Sequence, residues 1–134
     1  MSSCLMTGNT RRRVNYALGA VAIVVLGLIW RSHWLPLSPF LRKYGGDALW
    51  ASLVFTLIRC CSPRMRTLAS AWIAFGISVA VELSQLYHTP WIDAVRRTLP
   101  GALILGSTFN WPDIPAYAVG VLVAALIDRL AKSA

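Results

Sequence analysis

The hydrophobic positions of this chain fall into long runs that short polar segments separate. The runs cover residues 14–30, 47–61, 67–87 and 113–127. As helices with a rise of about 1.5 Å per residue, they would extend roughly 22 to 31 Å, which approaches the thickness of a bilayer's hydrocarbon core. The pattern predicts an all-α membrane protein with four transmembrane helices, in which residues 1–134 form a single transmembrane domain.

A fifth apolar run is shorter than the others and lies between the third and fourth spans. It covers residues 99–109 and would extend about 16 Å as a helix, or half a bilayer. This run predicts a re-entrant or interfacial half-helix.

Composition supports a membrane protein. The chain is 57% hydrophobic and 13% charged, whereas soluble domains average about 25% charged residues. The net charge of +8 does not indicate nucleic-acid binding, because the basic residues interrupt apolar runs instead of gathering on one solvated face. Membrane lipids are therefore the expected partners. The cysteines and histidines show no metal-ligand spacing, and we expect neither a metal nor another cofactor.

The basic residues also predict an orientation. With four spans and a cytoplasmic N-terminus, eight basic residues lie inside and five outside, in accord with the positive-inside rule. The inside set is Arg11, Arg12, Arg13, Arg59, Arg64, Arg66, Arg129 and Lys132, and the outside set is Arg31, Arg42, Lys43, Arg96 and Arg97. We expect a multi-pass membrane protein with both termini in the cytoplasm.

The third span carries a stripe of small and polar residues at helical spacing. Its members are Ala71, Ala74, Ser78, Glu82 and Gln85, and we expect the stripe to face other helices. An ionised Glu82 inside a membrane costs roughly 3 kcal/mol on insertion scales. Glu82 therefore either stays protonated or pairs with an arginine such as Arg96 or Arg97.

The predicted topology brings several polar groups to one level in the outer half of the membrane. The candidate binding residues are Asp47, Glu82, Gln85, Arg96, Arg97, Asp113 and Tyr117. Glu82 is the candidate catalytic residue, as a general acid or base, and the two arginines would hold an anionic head group. Two structural alternatives stay open: Glu82 and an arginine serve only to lock helices together, and Asp47 serves only to cap the second helix.

The last span has a close-packing face. Asp113, Tyr117, Gly120 and Ala124 share one side of the helix, and the series Ala116, Gly120 and Ala124 lets a neighbouring backbone approach closely. This series also offers a surface for self-association.

Four stretches of the sequence resemble a known family. They are GDALWA at 46–51, ELSQLY at 82–87, the arginine at 96 or 97, and FNWPDIPAYAVG at 109–120. Together they resemble an uncharacterised family, a domain of unknown function, of small bacterial integral membrane proteins, and more distantly the VanZ-like family. VanZ-like proteins carry an acidic residue that opens a helix, then E-x-x-Q, Arg and D-x-x-x-N-x-x-G. Glu82, Gln85, Asp113 and Gly120 match that order, and Tyr117 stands in place of the Asn.

The close resemblance implies a multi-pass topology and a location in the bacterial inner (plasma) membrane. The distant one, to a group linked to glycopeptide (teicoplanin) resistance, implies a role in the cell envelope. Three hypotheses follow from the residues and the resemblance together. The protein is a non-enzymatic envelope accessory, a membrane-embedded enzyme or binding protein for a lipid-linked or anionic amphiphile at the outer leaflet, or a small oligomeric transporter.

Overall fold

The computed structural model describes residues 2–105 and 109–133, and all regular secondary structure in these residues is helical. The six helices are α1 (Ser2–Arg31), α2 (Pro39–Cys61), α3 (Thr67–Ser84), α4 (Pro90–Arg97), α5 (Leu99–Leu105) and α6 (Asp113–Ser133).

Among the described residues, three segments are long and apolar enough to cross a membrane: Gly8–Arg31 of α1, the whole of α3 and the whole of α6. They correspond to the first, third and fourth predicted spans. The second predicted span, residues 47–61, lies within α2, which is not one of the three. Four charged residues are spread along this helix: Arg42, Lys43, Asp47 and Arg59.

Helix α2 lies at the centre of the bundle. It packs against α1, α3 and α6, and α3 and α6 also pack against each other. The buried hydrophobic cluster joins α2, α3 and α6. It consists of Ala51 and Phe55 of α2, Ala74 of α3, and Tyr117 and Val121 of α6. The three helices that contain candidate spans thus all pack on α2.

The start of α2 corrects one expectation from the sequence. Ser38 caps the helix by accepting a hydrogen bond from the backbone N–H of Leu41 (3.2 Å), and Pro39 occupies the first turn. Asp47 lies more than two turns further on, so the interpretation of Asp47 as the helix cap is wrong. Gly45 lies inside the helix against the indole of Trp30, where a Cβ would overlap the ring.

The connection between α3 and α6 is more helical than expected. The helix predicted over 67–87 ends at Ser84, and α4 (Pro90–Arg97), which was not predicted, follows. The run predicted as a half-helix over 99–109 contains α5, Leu99–Leu105, and residues 106–108 lie outside the described residues. Helix α5 packs against α4 and α3.

Candidate functional site

The polar stripe of α3 faces the interior, as predicted. Of its five predicted members, Ala74, Ser78 and Glu82 are fully buried, Gln85 is 5% exposed and Ala71 is half-buried. Ser70, which was not predicted as a member, is also fully buried. The Ser78 hydroxyl donates to the Ala74 carbonyl oxygen (2.8 Å), so it is engaged by its own helix. The stripe therefore packs against protein and leaves the bulky residues of α3 to the outside.

Both carboxylate oxygens of Glu82 accept hydrogen bonds from within the chain. The backbone N–H of Asn110 donates to Oε1 (2.7 Å), and the hydroxyl of Tyr117 donates to Oε2 (2.7 Å). Both donors are neutral groups. Glu82 thus joins α3 to α6 and to the segment that precedes α6, and neither of the arginines proposed as its partner takes part.

Arg96 binds backbone carbonyl groups instead of Glu82. It is 6% exposed and donates to the carbonyl oxygens of Ser84 (2.6 Å) and Tyr87 (2.8 Å), while its Nη1 lies 3.2 Å from Oδ1 of Asp93. The last carbonyls of a helix have no partner within the helix, so a buried arginine here stabilises the end of α3. Arg97 is exposed. The predicted pairing of Glu82 with Arg96 or Arg97 does not form.

The other predicted site residues gather around Glu82. Lys43 Nζ lies 3.3 Å from Oδ1 of Asp113, which is 5% exposed. Asp47 lies near enough to Asp113 and Glu82 to interact with both electrostatically. We call this part of the bundle the Glu82 end. It brings three acidic side chains together, as the predicted topology required.

Gln85 also belongs to the Glu82 end. Its Nε2 donates to the carbonyl oxygen of Leu105 (2.9 Å) and so ties α5 to α3.

The close-packing face of α6 is confirmed, and its neighbour is α2. A Cβ added at Gly120 would overlap the backbone of Ala48. The Ser52 hydroxyl bridges the two helices, since its oxygen lies 2.8 Å from the Gly120 carbonyl oxygen and 2.9 Å from that of Ala48. Self-association through Ala116, Gly120 and Ala124 stays a prediction.

A second buried polar group lies at the opposite end of the bundle, which we call the Arg59 end. Arg59 is fully buried, and its Nε lies 3.4 Å from Oδ2 of Asp128. The Tyr16 hydroxyl donates to Oδ1 of Asp128 (2.5 Å) and accepts from Nη2 of Arg59 (3.0 Å). The guanidinium also donates to the Met65 carbonyl oxygen.

Two further groups complete the set around Asp128. The Thr67 hydroxyl donates to Oδ2 (2.7 Å), and Lys132 Nζ lies 3.3 Å from the same oxygen. Residues from α1, α2, α3 and α6 thus meet at one carboxylate.

Sequence reasoning missed this second group, although a signal was present. Arg59 interrupts the second apolar run and Asp128 directly follows the fourth. A charged side chain within an apolar span, or at its end, is expected to pair with a buried group of opposite charge.

These features define a helical protein with three membrane-capable helices and two buried polar groups, one at each end. A family model described as "Protein of unknown function (DUF2809)" matches residues 37–121, which is more than half of the chain. The chain therefore belongs to this family. The matched region includes the whole Glu82 end, but Tyr16, Asp128 and Lys132 of the Arg59 end lie outside it. No solved structure matches the chain.

Proposed function

We propose that this chain is a four-pass protein of the bacterial inner membrane, in which α1, α2, α3 and α6 are the spans. The central position of α2 supports its inclusion, because α1, α3 and α6 all pack on it. The excess of basic residues at the Arg59 end supports a cytoplasmic location for that end and for both termini.

Within that membrane, the function we propose is a non-catalytic accessory role in the cell envelope, similar to that implied by the resemblance to VanZ-like proteins. The observation that carries this proposal is the state of Glu82. Each of its two oxygens accepts a hydrogen bond from a donor of the same chain, and Arg96 donates to the carbonyl oxygens of Ser84 and Tyr87. A general acid or base has to reach its substrate by a hydrogen bond. Here the candidate groups hold helices together.

Removal of the Glu82 carboxylate tests this proposal. Glu82→Ala leaves the buried Tyr117 hydroxyl and the part-buried Asn110 N–H without this acceptor, and the buried donor alone costs about 1–3 kcal/mol. We therefore expect a large fall in the thermal unfolding temperature in detergent. Glu82→Gln keeps one acceptor oxygen, so its unfolding temperature should fall less. Leu83→Ala is the control, because Leu83 is adjacent, 46% exposed and off the stripe.

The same variants should be placed in a strain that lacks the protein and is challenged with a glycopeptide antibiotic. If Glu82 is structural, protection falls in proportion to the amount of folded protein in the membrane. A Glu82→Gln protein that keeps its unfolding temperature and its abundance but gives no protection would instead indicate a reactive or ligand-binding carboxylate.

Cysteine labelling tests the orientation. In a variant with the three native cysteines replaced by serine, a membrane-impermeant thiol reagent added outside intact cells should label Arg97→Cys and leave Arg64→Cys unlabelled. Both positions are exposed on the protein surface. The reverse pattern would overturn the orientation, and labelling of both positions in intact cells would overturn the four-pass topology.

The other two hypotheses from the sequence stay predictions. An outer-leaflet amphiphile site would need Arg96 to leave the carbonyl oxygens of Ser84 and Tyr87. A transporter would need several copies to enclose a path, since four spans enclose little volume. The position of α5 as a re-entrant or interfacial half-helix is part of the same four-pass proposal.

A further inference from the structure

A long open groove runs between α1 and α6, with α2 as its floor. It has a volume of about 1070 Å³, slightly above the roughly 300–1,000 Å³ of small-molecule sites. At the Arg59 end the groove is bridged by the hydrogen bond from Tyr16 to Asp128. No part of the Glu82 end lines it.

The length of the groove matches one leaflet of a membrane. Its lining on α1 begins at Arg12 and continues to Leu26. Fourteen residues of helix rise about 21 Å. Half of a bilayer, with its head-group region, is also about 20–22 Å.

The groove is apolar along its depth. The side chains that line this part come from α1, α2 and α6: Ile23, Leu26, Leu49, Phe55, Val123 and Ile127. Several of them are largely exposed in the isolated chain, for example Leu26 at 47% and Ile127 at 61%. A hydrocarbon chain is the occupant that such walls suit.

The opening at the Arg59 end, which we call the mouth, is basic. Arg12, Arg64, Arg66 and Lys132 line it, and among the described lining residues Asp128 is the single acid. Asp128 is already matched by the buried Arg59. The mouth therefore keeps a positive excess, and arginines in particular bind phosphate through paired N–H donors.

We propose that this groove binds one anionic phospholipid, with its phosphate at the mouth and an acyl chain lying between α1 and α6. Two properties of the groove support this occupant. Cations lie at one end of it, and apolar walls continue for the depth of one leaflet. The inference rests on the membrane location given above, but not on the role of Glu82.

Lipid binding to the full-length protein in a mild non-ionic detergent tests the proposal. Phosphatidylglycerol and phosphatidylcholine with identical acyl chains are titrated, and bound lipid is counted by native mass spectrometry. We expect one phosphatidylglycerol per chain, bound roughly tenfold or more tightly than phosphatidylcholine.

Two pairs of matched variants locate the lipid. Arg64→Gln with Arg66→Gln should weaken phosphatidylglycerol binding roughly tenfold, whereas Arg31→Gln with Arg97→Gln makes the same change in charge at the Glu82 end and should leave it unchanged. Ile127→Trp should block the groove. Leu126→Trp should not, since Leu126 is equally exposed (59%) but lies outside the groove.

Unfolding temperatures of all four variants show whether each is folded. Because Arg64, Arg66, Ile127 and Leu126 are all exposed, loss of folding is not expected. If a variant unfolds, Arg64→Gln alone and Ile127→Phe give the same comparison.

Three results would overturn the proposal. Equal binding of the two lipids would show general contact with the bilayer, and equal effects of the two tryptophan variants would place the lipid elsewhere. A dimer that forms without added lipid and that Ile127→Trp abolishes would show that a second copy of the chain fills the groove. The envelope role is tested separately, by the protection and unfolding temperatures of the Glu82 variants. If lipid binding is not found but those variants behave as expected, the lipid proposal fails and the envelope role stands.

Discussion

The two ends of the bundle solve the same problem, a buried carboxylate, with different chemistry. At the Glu82 end the carboxylate of Glu82 is held by a backbone N–H and a tyrosine hydroxyl, and two further acids lie nearby. At the Arg59 end the carboxylate of Asp128 is held by a buried guanidinium as well as two hydroxyls.

The difference concerns what each end can tolerate. A carboxyl group can form hydrogen bonds with neutral partners in either protonation state. A buried arginine, in contrast, is always charged, and it is destabilising unless an anion lies beside it. The Arg59 end should therefore be the more fragile of the two to substitution, even though the Glu82 end contains the residues that sequence analysis selected.

The largest effect is expected from breaking the ion pair at the Arg59 end. Arg59→Leu leaves Asp128 buried without its main cation, which should reduce stability by about 3–5 kcal/mol. Thermal unfolding in detergent measures this. Arg64→Leu, at an exposed position five residues later, is the control. A double variant that also carries Asp128→Asn should recover part of the loss, and a loss that is simply additive would show that the pair does not couple.

A smaller effect is expected from the contact between α2 and α6, which links the two ends. In Gly120→Ala the new methyl group overlaps the backbone of Ala48, so the helices have to separate, at a cost of about 1–3 kcal/mol. Gly76→Ala is the matched control, because nothing lies within 4 Å of a Cβ there and alanine favours the helix. Equal unfolding temperatures for the two variants would contradict the close approach of α2 and α6.

The smallest effects are expected from two half-exposed lysines, one at each end. Lys43 pairs with Asp113 at 3.3 Å with a side chain 45% exposed, and Lys132 pairs with Asp128 at 3.3 Å with a side chain 43% exposed. Such exposed pairs contribute about 0–1 kcal/mol. Lys43→Gln should cost more than Lys132→Gln, because Asp128 keeps Arg59 whereas Asp113 keeps Asp47 as a neighbour of like charge. Chemical denaturation of both variants at low and high salt compares their free energies of unfolding. A larger loss of stability for Lys132→Gln would contradict the expectation that Asp113 depends more on Lys43 than Asp128 does on Lys132.

Several features of the fold followed directly from local pattern. The stripe on α3 and the packing face of α6 were predicted from residues three and four apart, and most of their members are buried, with Ala71 and Ala124 half-buried. The predicted start of the last span, at residue 113, coincides with the start of α6 at Asp113.

Other features could not be read in this way. The start of α2 was misplaced because Gly45 and Gly46 suggest a loop, and only the indole of Trp30 against Gly45 shows why a glycine lies within a helix there. The role of Arg96 was also missed, since the carbonyls it binds, those of Ser84 and Tyr87, become available only because α3 ends earlier than its apolar run.

By itself the amino-acid sequence determined the helical class, the apolar runs and the faces that each helix buries, because these depend on the spacing of neighbours along one chain. Only the tertiary structure decided which partner each buried charge receives. Glu82 accepts from Tyr117 and Asn110 instead of an arginine, and Arg59 meets Asp128 across 69 positions of the sequence. The physical reason is that a hydrogen bond or ion pair requires two atoms within about 3 Å, and the crossing points of the helices, not the local pattern, set those distances.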